Sequence, residues 1–247
     1  MSALVHIGVA GARGRMGRAV SQVLEQRDGS IVALRFDRGE EPDLNHCDVV
    51  IDFTTAEASV ALAERCAATG RPALVIGSTG FTPEQNAAVA EAARRVAVVK
   101  SGNFSLGVNT LIGLVEQAAR KLHAEAWDVE VFEAHHRRKA DAPSGTALML
   151  GEAAAKGRGQ ALEALRSSPR EGITGPREGG SIGFSVMRGG GIVGEHSVVF
   201  AAEDEILTLS HSARDRSLFA RGAVEAALWA AGRPPGLYDM QDVLGFK

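Results

Sequence analysis

The amino-acid sequence predicts an α/β protein with one parallel-sheet domain and a second, smaller α+β domain. In the first hundred residues, short apolar runs alternate with alanine-rich helical stretches, a pattern typical of parallel strands joined by helices. After residue 104 the pattern changes to a long helix followed by β-rich runs. A last helical stretch, about residues 215–231, is expected to return to the first domain. The predicted domains are therefore residues 1–105 with 215–247, and residues 106–214.

The first predicted strand, Val5 to Ala10, runs directly into a glycine-rich turn with glycines at positions 11, 14 and 17. A helical pattern follows from Arg18. Strand, glycine turn and helix in this order are typical of a Rossmann-like dinucleotide-binding domain. In that motif Gly11 permits the tight turn, Gly14 lets the backbone approach a pyrophosphate, and Gly17 lets the helix pack closely. Flavin sites and plain strand–helix corners also use such turns, so the glycines alone do not decide the ligand.

The second predicted strand, Ile31 to Phe36, ends at Asp37 and Arg38. Asp37 lies about 20 residues beyond the glycine turn, where an acidic residue commonly binds the ribose hydroxyls of NADH. Arg38 could pair with the 2′-phosphate of NADPH. The two residues together favour use of NADH, NADPH or both. The alternative is that they form an exposed, charged turn.

Three more apolar runs predict strands at 48–53, 72–77 and 96–99, with helices at about 57–69 and 83–95. The link over residues 39–47 is too short for a crossover helix and predicts a loop or short turn. Small and polar residues follow each strand, at 54–55, 77–80 and 100–104. Ligands of such sheets bind beyond the carboxyl ends of the strands, so these segments are candidate cofactor contacts. Their alternative reading is as ordinary loops rich in turn-forming residues.

The most informative segment of the predicted second domain is Glu133 to Ala147, with the sequence EAHHRRKADAPSGTA. It follows a helix at about 108–123 and a strand at 127–133. Pro143 and Ser144 suit a helix start, and the backbone N–H groups of Gly145 and Thr146 then lie at the positive end of the helix dipole, which binds anions. Histidines that titrate near neutral pH and a lysine precede this helix start. The segment therefore predicts an active site for a small acidic substrate, the alternative being a basic loop before a capped helix.

The rest of the second domain predicts a long loop or lid over about 157–180 and three β-rich runs at 181–188, 192–201 and 205–211. Short linkers between these runs favour an antiparallel meander. An open sheet with few covering helices often pairs with a copy of itself, so we expect a homo-oligomer formed through this domain. His196, in the second run, is expected to be a buried or interface residue rather than a ligand.

Composition narrows the class of protein further. The formal net charge is −3 and no domain-wide basic surface is evident, so no nucleic-acid partner is expected. The two cysteines, Cys47 and Cys66, lack metal-site spacing and are too few for a disulfide framework, which favours a reducing compartment. No signal-like start and no membrane-length apolar run are evident. We expect a cytoplasmic enzyme without a metal and without a membrane partner.

Taken together, these motifs resemble the 4-hydroxy-tetrahydrodipicolinate reductase (dihydrodipicolinate reductase) family over nearly the whole chain. The His-His-x-x-Lys segment with PSGT is the specific part. Other matching segments are 11–17, 51–54, 76–81, 103–105, 194–196, 222–224 and 242–244. The resemblance implies a Rossmann-like domain, a mixed-sheet domain that forms a homotetramer, and reduction of a small cyclic dicarboxylate in diaminopimelate and lysine biosynthesis. It implies a hydride from NADH or NADPH and proton donation by histidine and lysine.

The resemblance also implies roles for individual residues. His135 and Lys139 match the catalytic acid/base pair, and the substrate contacts would be His136, Ser144, Gly145 and Thr146. The implied cofactor contacts are Gly11, Ala12, Arg13, Gly14, Arg15, Met16, Asp37, Arg38, Gly77, Ser78, Thr79, Ser101, Gly102, Asn103 and Phe104. The chain departs from the family pattern in a shorter segment after Arg38 and in Ser78, where threonine is common. Two rivals stay open: another nicotinamide-dependent dehydrogenase, and a nucleotide-sensing protein that has kept the fold.

Overall fold

The computed structural model describes residues 4–247, which form two compact units. The first unit extends to Leu106 and also includes Ser217–Lys247, and the second is Gly107–Arg216. The strands are β1 (Val5–Ala10), β2 (Ser30–Phe36), β3 (Val49–Asp52), β4 (Ala73–Ile76), β5 (Ala97–Lys100), β6 (Asp128–His135), β7 (Ile182–Arg188), β8 (Gly194–Ala201), β9 (Ile206–Ala213) and β10 (Gly236–Tyr238). The helices are α1 (Arg15–Glu25), α2 (Ala56–Thr69), α3 (Pro83–Ala92), α4 (Leu106–Lys121), α5 (Gly145–Gly157), α6 (Leu162–Leu165), α7 (Ser217–Ala230) and α8 (Met240–Val243).

The first unit is a Rossmann-like layer structure. Within residues 4–247, six strands form one parallel sheet in the order β10-β5-β4-β3-β1-β2. Alternate strand residues face opposite layers: Ile7 and Ile51 pack with α1 and α7, whereas Val50 and Leu74 pack with α2 and α3. Because both faces are covered, these strands are apolar on both sides, as parallel strands generally are. The predicted fold class is confirmed.

The boundaries in the first unit differ from the predicted ones in two places. Helix α1 begins at Arg15 rather than Arg18, because the chain enters the helix directly after the Gly14 cap. The short strand β10 was not predicted; three residues after two prolines carry too little pattern to identify. The link over residues 39–47 contains only a 3-10 turn, Leu44–His46.

The two cysteines of this unit are buried thiols. Burial raises the pKa of Cys47 and raises the pKa of Cys66 to about 12. Both therefore stay protonated and act as small apolar core residues.

The second unit has a mixed sheet in the order β7-β6-β8-β9. The predicted meander is wrong, because β6 lies between β7 and β8 in the described part of the chain. Strand β7 is parallel to β6, with α5 and α6 in the connection between them, and β8 is antiparallel to both β6 and β9. The sequence pattern indicated how many strands there are but not which strands pair. The short linker after β7 was therefore mistaken for a hairpin turn.

That linker, residues 189–193, passes over the carboxyl end of β6. The N–H of Gly189 donates to the carbonyl of His135 at 2.9 Å, and the N–H of Arg137 donates to the carbonyl of Gly190 at 3.3 Å. The crossing places the start of β8 beside His135. This crossing brings the carboxyl ends of β6 and β7 and the start of β8 together at one site.

The segment after α5 is long, as predicted, and contains the short helix α6. Arg177 fastens its second half to the sheet: the guanidinium contacts the carboxylates of Asp128 at 2.6 Å and Glu130 at 3.0 Å, and donates to the carbonyls of Val129 and Ser181. None of the helices in the described residues combines the length and apolar character needed to span a bilayer.

Candidate active site

The glycine turn of the first unit brings β1, α1 and the end of β3 into close approach. Gly11 has a positive φ of 66°, and a Cβ there would lie 2.8 Å from the Thr54 methyl group. A Cβ at Gly17 would lie 2.2 Å from the carbonyl oxygen of Gly11. Side chains are therefore excluded at both positions, and α1 starts directly against the turn.

The start of α1 suits an anion. The N-cap residue, Gly14, has no side chain that could cap the helix, and no acidic residue lies in the first turn. The first N–H groups of a helix have no partner within the helix and carry its positive dipole end. The predicted contacts Gly14, Arg15 and Met16 lie at this helix start.

The carboxylate of Asp37 lies beside the glycine turn. It accepts the backbone N–H of Arg13 at 3.3 Å, and the Arg13 guanidinium lies 3.4 Å from it. The same guanidinium contacts Glu40 at 3.0 Å, and Glu40 also accepts the N–H of Asp37 at 3.0 Å. A cavity of about 570 Å³ opens here, lined by Gly11, Asp37, Arg38, Glu40 and Glu41 among others.

A second cavity, of about 740 Å³, is lined by Met16, Arg38 and the loop Gly77, Ser78 and Thr79. Arg38 borders both cavities. The structure thus brings the glycine turn, the end of β2 and the end of β4 around one concave surface, at the carboxyl edge of the parallel sheet.

A buried carboxylate organises the loops around this surface. Asp52, at the end of β3, is fully buried and accepts the hydroxyls of Thr54 and Ser59, each at 2.6 Å. The hydroxyl of Ser59 in turn lies 2.6 Å from that of Ser78. The position of Ser78 is therefore linked to β3 through two hydrogen bonds.

The predicted contacts at the end of β5 form a self-bonded loop. The hydroxyl of Ser101 donates to the carbonyl of Asn103 at 2.7 Å. Phe104 is 1% exposed and packs edge-on against Phe53, with ring centroids 5.6 Å apart. The Phe104 side chain is thus a core residue. Neither cavity is lined by Ser101, Gly102, Asn103 or Phe104.

In the second unit, the site is built around Glu133 at the end of β6. Val129, Val131 and Glu133 alternate along the strand and are all fully buried, so the carboxylate takes a core position. It accepts the Ser144 N–H at 2.9 Å and two N–H groups of Arg188, both at 2.7 Å. Nδ1 of His135 lies 2.6 Å from the same carboxylate.

Glu133 is ionised despite its burial. Burial alone would raise the pKa of this carboxyl, but hydrogen bonds from Arg188, His135 and the Ser144 N–H outweigh it and lower the pKa. An ionised carboxylate can only accept hydrogen bonds, so Nδ1 of His135 is the donor. Nε2 of His135 is the nitrogen left for other chemistry.

Ser144 is the N-cap of α5, as predicted, and its hydroxyl accepts the Ala147 N–H at 3.2 Å. Gly145 and Thr146 form the first turn of this helix of 13 residues. Pro143 lies outside the helix, one residue before the cap. His136 precedes this turn, and its Nδ1 is buried without a hydrogen-bond partner among residues 4–247.

Lys139 lies in the loop between β6 and α5, with a side chain 22% exposed. Its ammonium contacts the Asp141 carboxylate at 2.8 Å, a hydrogen bond that lowers the pKa of Asp141. Arg188 also donates to the Asp141 carbonyl at 2.7 Å. His135 and Lys139 are thus joined through Glu133, Arg188 and Asp141.

His196 is 5% exposed, as expected for a buried histidine. Its Nε2 lies 3.2 Å from the Ser144 hydroxyl, and its ring packs edge-on against His135 with centroids 5.1 Å apart. Burial, with the neighbouring His135, lowers the pKa of His196 to about 4. His196 is therefore neutral at physiological pH.

Sequence reasoning missed Glu133 and Arg188 as parts of the site. One signal was available: Glu133 continues the apolar alternation of β6, so a period-2 strand places it on the buried face. A buried carboxylate requires a cation, but nothing in the sequence indicates which of the 27 lysines and arginines supplies it.

Comparison with known proteins decides the family. The dihydrodipicolinate reductase N-terminus model matches residues 5–104, and the C-terminus model matches residues 107–244. The chain belongs to the dihydrodipicolinate reductase family. As a member of that family it is an oxidoreductase, and the family recognised from the motifs is confirmed.

Curated relatives of the dihydrodipicolinate reductase family are similar along their whole length. A 4-hydroxy-tetrahydrodipicolinate reductase of Caulobacter vibrioides is 64% identical and covers 100% of both chains. The enzyme of that name from Rhizobium rhizogenes is 51% identical, over 97% of this chain and 96% of that one.

A solved structure shares the fold of both units. The dipicolinate-bound dihydrodipicolinate reductase from Paenisporosarcina sp. TG-14 has a TM-score of 0.78 and 22% identity, over 96% of this chain and 97% of that one. At this identity the likeness concerns the fold alone. A probable dehydrogenase from Thermotoga maritima is a more distant neighbour, with a TM-score of 0.58 and 11% identity over 98% of this chain and 93% of that one.

Proposed function

We propose that this chain reduces 4-hydroxy-tetrahydrodipicolinate to tetrahydrodipicolinate with NADH or NADPH, in the diaminopimelate and lysine pathway of the cytoplasm. The observation that supports it most is the cluster at the end of β6, where His135, Lys139 and the Ser144 cap are joined through Glu133 and Arg188. A cluster of titratable side chains beside a helix N-terminus, in a member of this family, fits the reduction of a small dicarboxylate.

The glycine turn fits a dinucleotide. A Cβ at Gly17 would fill the space against Gly11. The first N–H groups of α1 would donate to an anion such as a pyrophosphate, since no acidic residue occupies the first turn. Asp37 would accept the ribose hydroxyls of the adenosine, and Gly77, Ser78 and Thr79 would border the remaining part of the cofactor. When bound, the nicotinamide supplies the hydride.

The start of α5 is the proposed substrate site. A doubly negative ring requires compensating charge, and the dipole of a helix of this length favours an anion at Gly145 and Thr146. The hydroxyl of Ser144 and the ring of His136 would add hydrogen bonds, and the Lys139 ammonium would contact a carboxylate. Charge-assisted bonds of this kind are about twice as strong as neutral ones.

His135 and Lys139 are the proposed proton donors. Reduction of a conjugated imine leaves negative charge that must be protonated, and a positioned acid contributes about 10²–10⁴-fold to the rate. His135 holds its Nδ1 proton against Glu133, so Nε2 is the atom that would carry the transferred proton. The Lys139 ammonium would supply a second donor or hold the charge that develops.

The homo-oligomer, a homotetramer by family resemblance, also belongs to this proposal. On the face of the second sheet opposite α5, the side chains of Phe132, Met187 and Ile206 are 38%, 49% and 68% exposed. Strand register places these residues on the same face. Burial against a copy of the chain would remove this apolar surface from water, and light scattering after size exclusion would show a monomer if the proposal is wrong.

The test is the decay of NADH or NADPH absorbance when the purified chain meets substrate generated in place by dihydrodipicolinate synthase. Decay that depends on the synthase and on both its substrates supports the proposal. Bound cofactor without decay would favour the sensor, and decay with an amino acid or a semialdehyde instead would favour another dehydrogenase. His123→Asn, a change of an exposed histidine two residues beyond α4, serves as the control protein.

A further inference from the structure

We propose that Glu133 and Arg188 form a positioning pair for His135: the buried carboxylate fixes the imidazole with Nδ1 protonated and Nε2 available, and the guanidinium keeps that carboxylate ionised. This inference rests on the proposed reaction, because it assigns Nε2 of His135 as the proton-bearing atom. Neither Glu133 nor Arg188 is proposed to touch the substrate. Both act by positioning the imidazole of His135.

The Glu133 carboxylate accepts four hydrogen bonds. Glu133 accepts from His135, from the Ser144 N–H and twice from Arg188, at distances of 2.6 to 2.9 Å. Its side chain is 1% exposed, so these bonds replace water completely. A single buried anion thus holds the histidine, the cap of the substrate helix and an arginine in one arrangement.

The two imidazole nitrogens of His135 have different roles. A carboxylate that is ionised cannot donate, so the bond at 2.6 Å requires a proton on Nδ1. In the neutral ring Nε2 is then the basic nitrogen, and after protonation it is the donor. On its other side lies Gly194, where a Cβ would approach Nε2 to 3.2 Å. The glycine keeps the space beside Nε2 open.

Arg188 keeps the Glu133 carboxylate ionised. A buried carboxylate without a cation tends to take up a proton, and it would then no longer hold the imidazole as an acceptor. The paired bonds of Arg188 prevent this, and its bond to the Asp141 carbonyl ties the loop that carries Lys139 to the same group. Arg188 therefore couples the placement of both proton donors.

Other charged and titratable groups lie near this cluster. His196 on β8 packs against His135 and is paired in register with His211 on β9, and Lys139 and Asp141 join the cluster from the loop after β6. His196 and His211 stay neutral near pH 7, because burial lowers the pKa of each. The ionised group that hydrogen-bonds His135 directly is Glu133.

The first experiment reads the tautomer without substrate. In a two-bond ¹H–¹⁵N spectrum of the ¹⁵N-labelled protein above neutral pH, His135 is expected to show a protonated Nδ1 and a bare Nε2. His46, whose side chain is 82% exposed, is the internal reference, and a His135→Asn variant assigns the signal. A neutral His135 with its proton on Nε2 would overturn the inference.

The second experiment uses Glu133→Gln. The amide keeps the shape but loses the charge, and its NH₂ group can donate to a bare Nδ1, which would favour the tautomer with the proton on Nε2. Turnover is expected to fall about 100-fold or more, the scale of general-acid help. In the two-bond spectrum of this variant, the His135 signal is expected to lose the pattern of a protonated Nδ1.

Glu195→Gln is the matched control. It makes the same change on the adjoining strand, where the carboxylate accepts the Ser212 hydroxyl at 2.7 Å and makes no described contact with His135. Its turnover and its His135 tautomer are expected to match those of the parent chain. A folded Glu133→Gln protein with turnover within about threefold of the parent and an unchanged His135 tautomer contradicts the inference.

A third variant covers the case in which Glu133→Gln does not fold. Glu133→Asp keeps the negative charge with a shorter reach, and its His135 is expected to keep the proton on Nδ1 even where turnover is reduced. A folded Glu133→Asp protein whose His135 carries that proton on Nε2 would overturn the inference. Because the spectrum needs no substrate, an inactive parent chain would refute the proposed reaction and leave the tautomer measurement standing.

Discussion

The hydroxyl of Ser144 lies 3.2 Å from Nε2 of His196, a residue 52 positions later in the chain. The same hydroxyl accepts the Ala147 N–H, so one side chain both caps α5 and joins that helix to β8. Helix start and sheet are therefore held in fixed relation at the point where the substrate is proposed to bind.

Ser144→Ala is expected to reduce the free energy of unfolding by about 1 kcal/mol or more, because the cap and the bond to a buried histidine are both lost. It is also expected to raise the KM for the dicarboxylate. Thermal or urea unfolding measures the first effect, and steady-state kinetics the second.

The control for Ser144→Ala is Thr82→Ala, which removes the capping box of α3 in the other unit. That variant is expected to lose a similar amount of stability with an unchanged KM. If both variants raise KM alike, the substrate role of Ser144 is wrong.

Lys139→Ala is expected to lower turnover at least a hundredfold while cofactor affinity changes little, because the ammonium serves proton transfer and charge stabilisation rather than dinucleotide binding. Kinetics and a fluorescence titration with NADH separate the two effects. Lys156→Ala, which removes a lysine 61% exposed and paired with Glu116, is the control and should retain parental turnover. Near-normal turnover of Lys139→Ala would remove Lys139 from the chemistry.

Glu40→Gln is expected to favour NADPH. In the parent chain Glu40 and Asp37 hold the Arg13 guanidinium and place two carboxylates at the cavity where a 2′-phosphate would lie. Removing one negative charge leaves the arginine held by Asp37 alone, and the Kd for NADPH is expected to fall about 5-fold, equivalent to about 1 kcal/mol. The Kd for NADH should stay within about twofold.

Fluorescence titration with each dinucleotide measures both constants without turnover. Glu91→Gln changes a surface carboxylate of α3 that pairs with Arg94. This control variant should change neither dissociation constant. Equal weakening or equal strengthening for both dinucleotides would show that Glu40 does not discriminate between them.

His196 makes stability depend on pH. Its pKa is lowered to about 4 by burial and the nearby His135, so between about pH 6.5 and 4 the unfolded chain binds a proton that the folded chain excludes. Stability from this residue is therefore present above pH 6.5 and is lost as the pH falls through this range. At about pH 5 the loss is about 2 kcal/mol relative to about pH 7.5.

Urea unfolding at the two pH values tests this expectation. In His196→Gln the drop in unfolding free energy should be smaller than in the parent by about that amount, with the part due to His211 retained. His46→Gln, at an exposed histidine, should keep the full drop. A His196→Gln protein with the same drop as the parent would mean that His196 titrates alike in both states.

The sequence predicted best where structure depends on neighbours in the chain. The apolar run of β1, the glycine turn and the Ser144 cap are local signals, and each lies where it was expected. The order of strands in the second sheet depends on which face of β6 each later strand meets, and that choice leaves no local mark. The meander prediction was wrong for this reason.

In the candidate site, too, the residues with local signals were predicted and those that depend on strand pairing were not. His135, Lys139 and Ser144 lie within ten residues, and their spacing was enough to single them out. Arg188 looks like any basic residue at the end of a strand until β7 pairs with β6 and sets it opposite His135 in the register. Only the three-dimensional pairing identifies the guanidinium as the partner of Glu133.

The central place of β6 has a consequence for how the protein is made. Glu133 is synthesised 55 residues before Arg188, and the donors to its carboxylate lie on β6, at the start of α5 and on β7. A nascent chain that ends before β7 therefore lacks the cation that pairs with this carboxylate. A chain cut between α5 and β7 would keep both histidines and Lys139 but lose the guanidinium that holds Glu133 ionised, so we expect it to lose the placement of His135 as well.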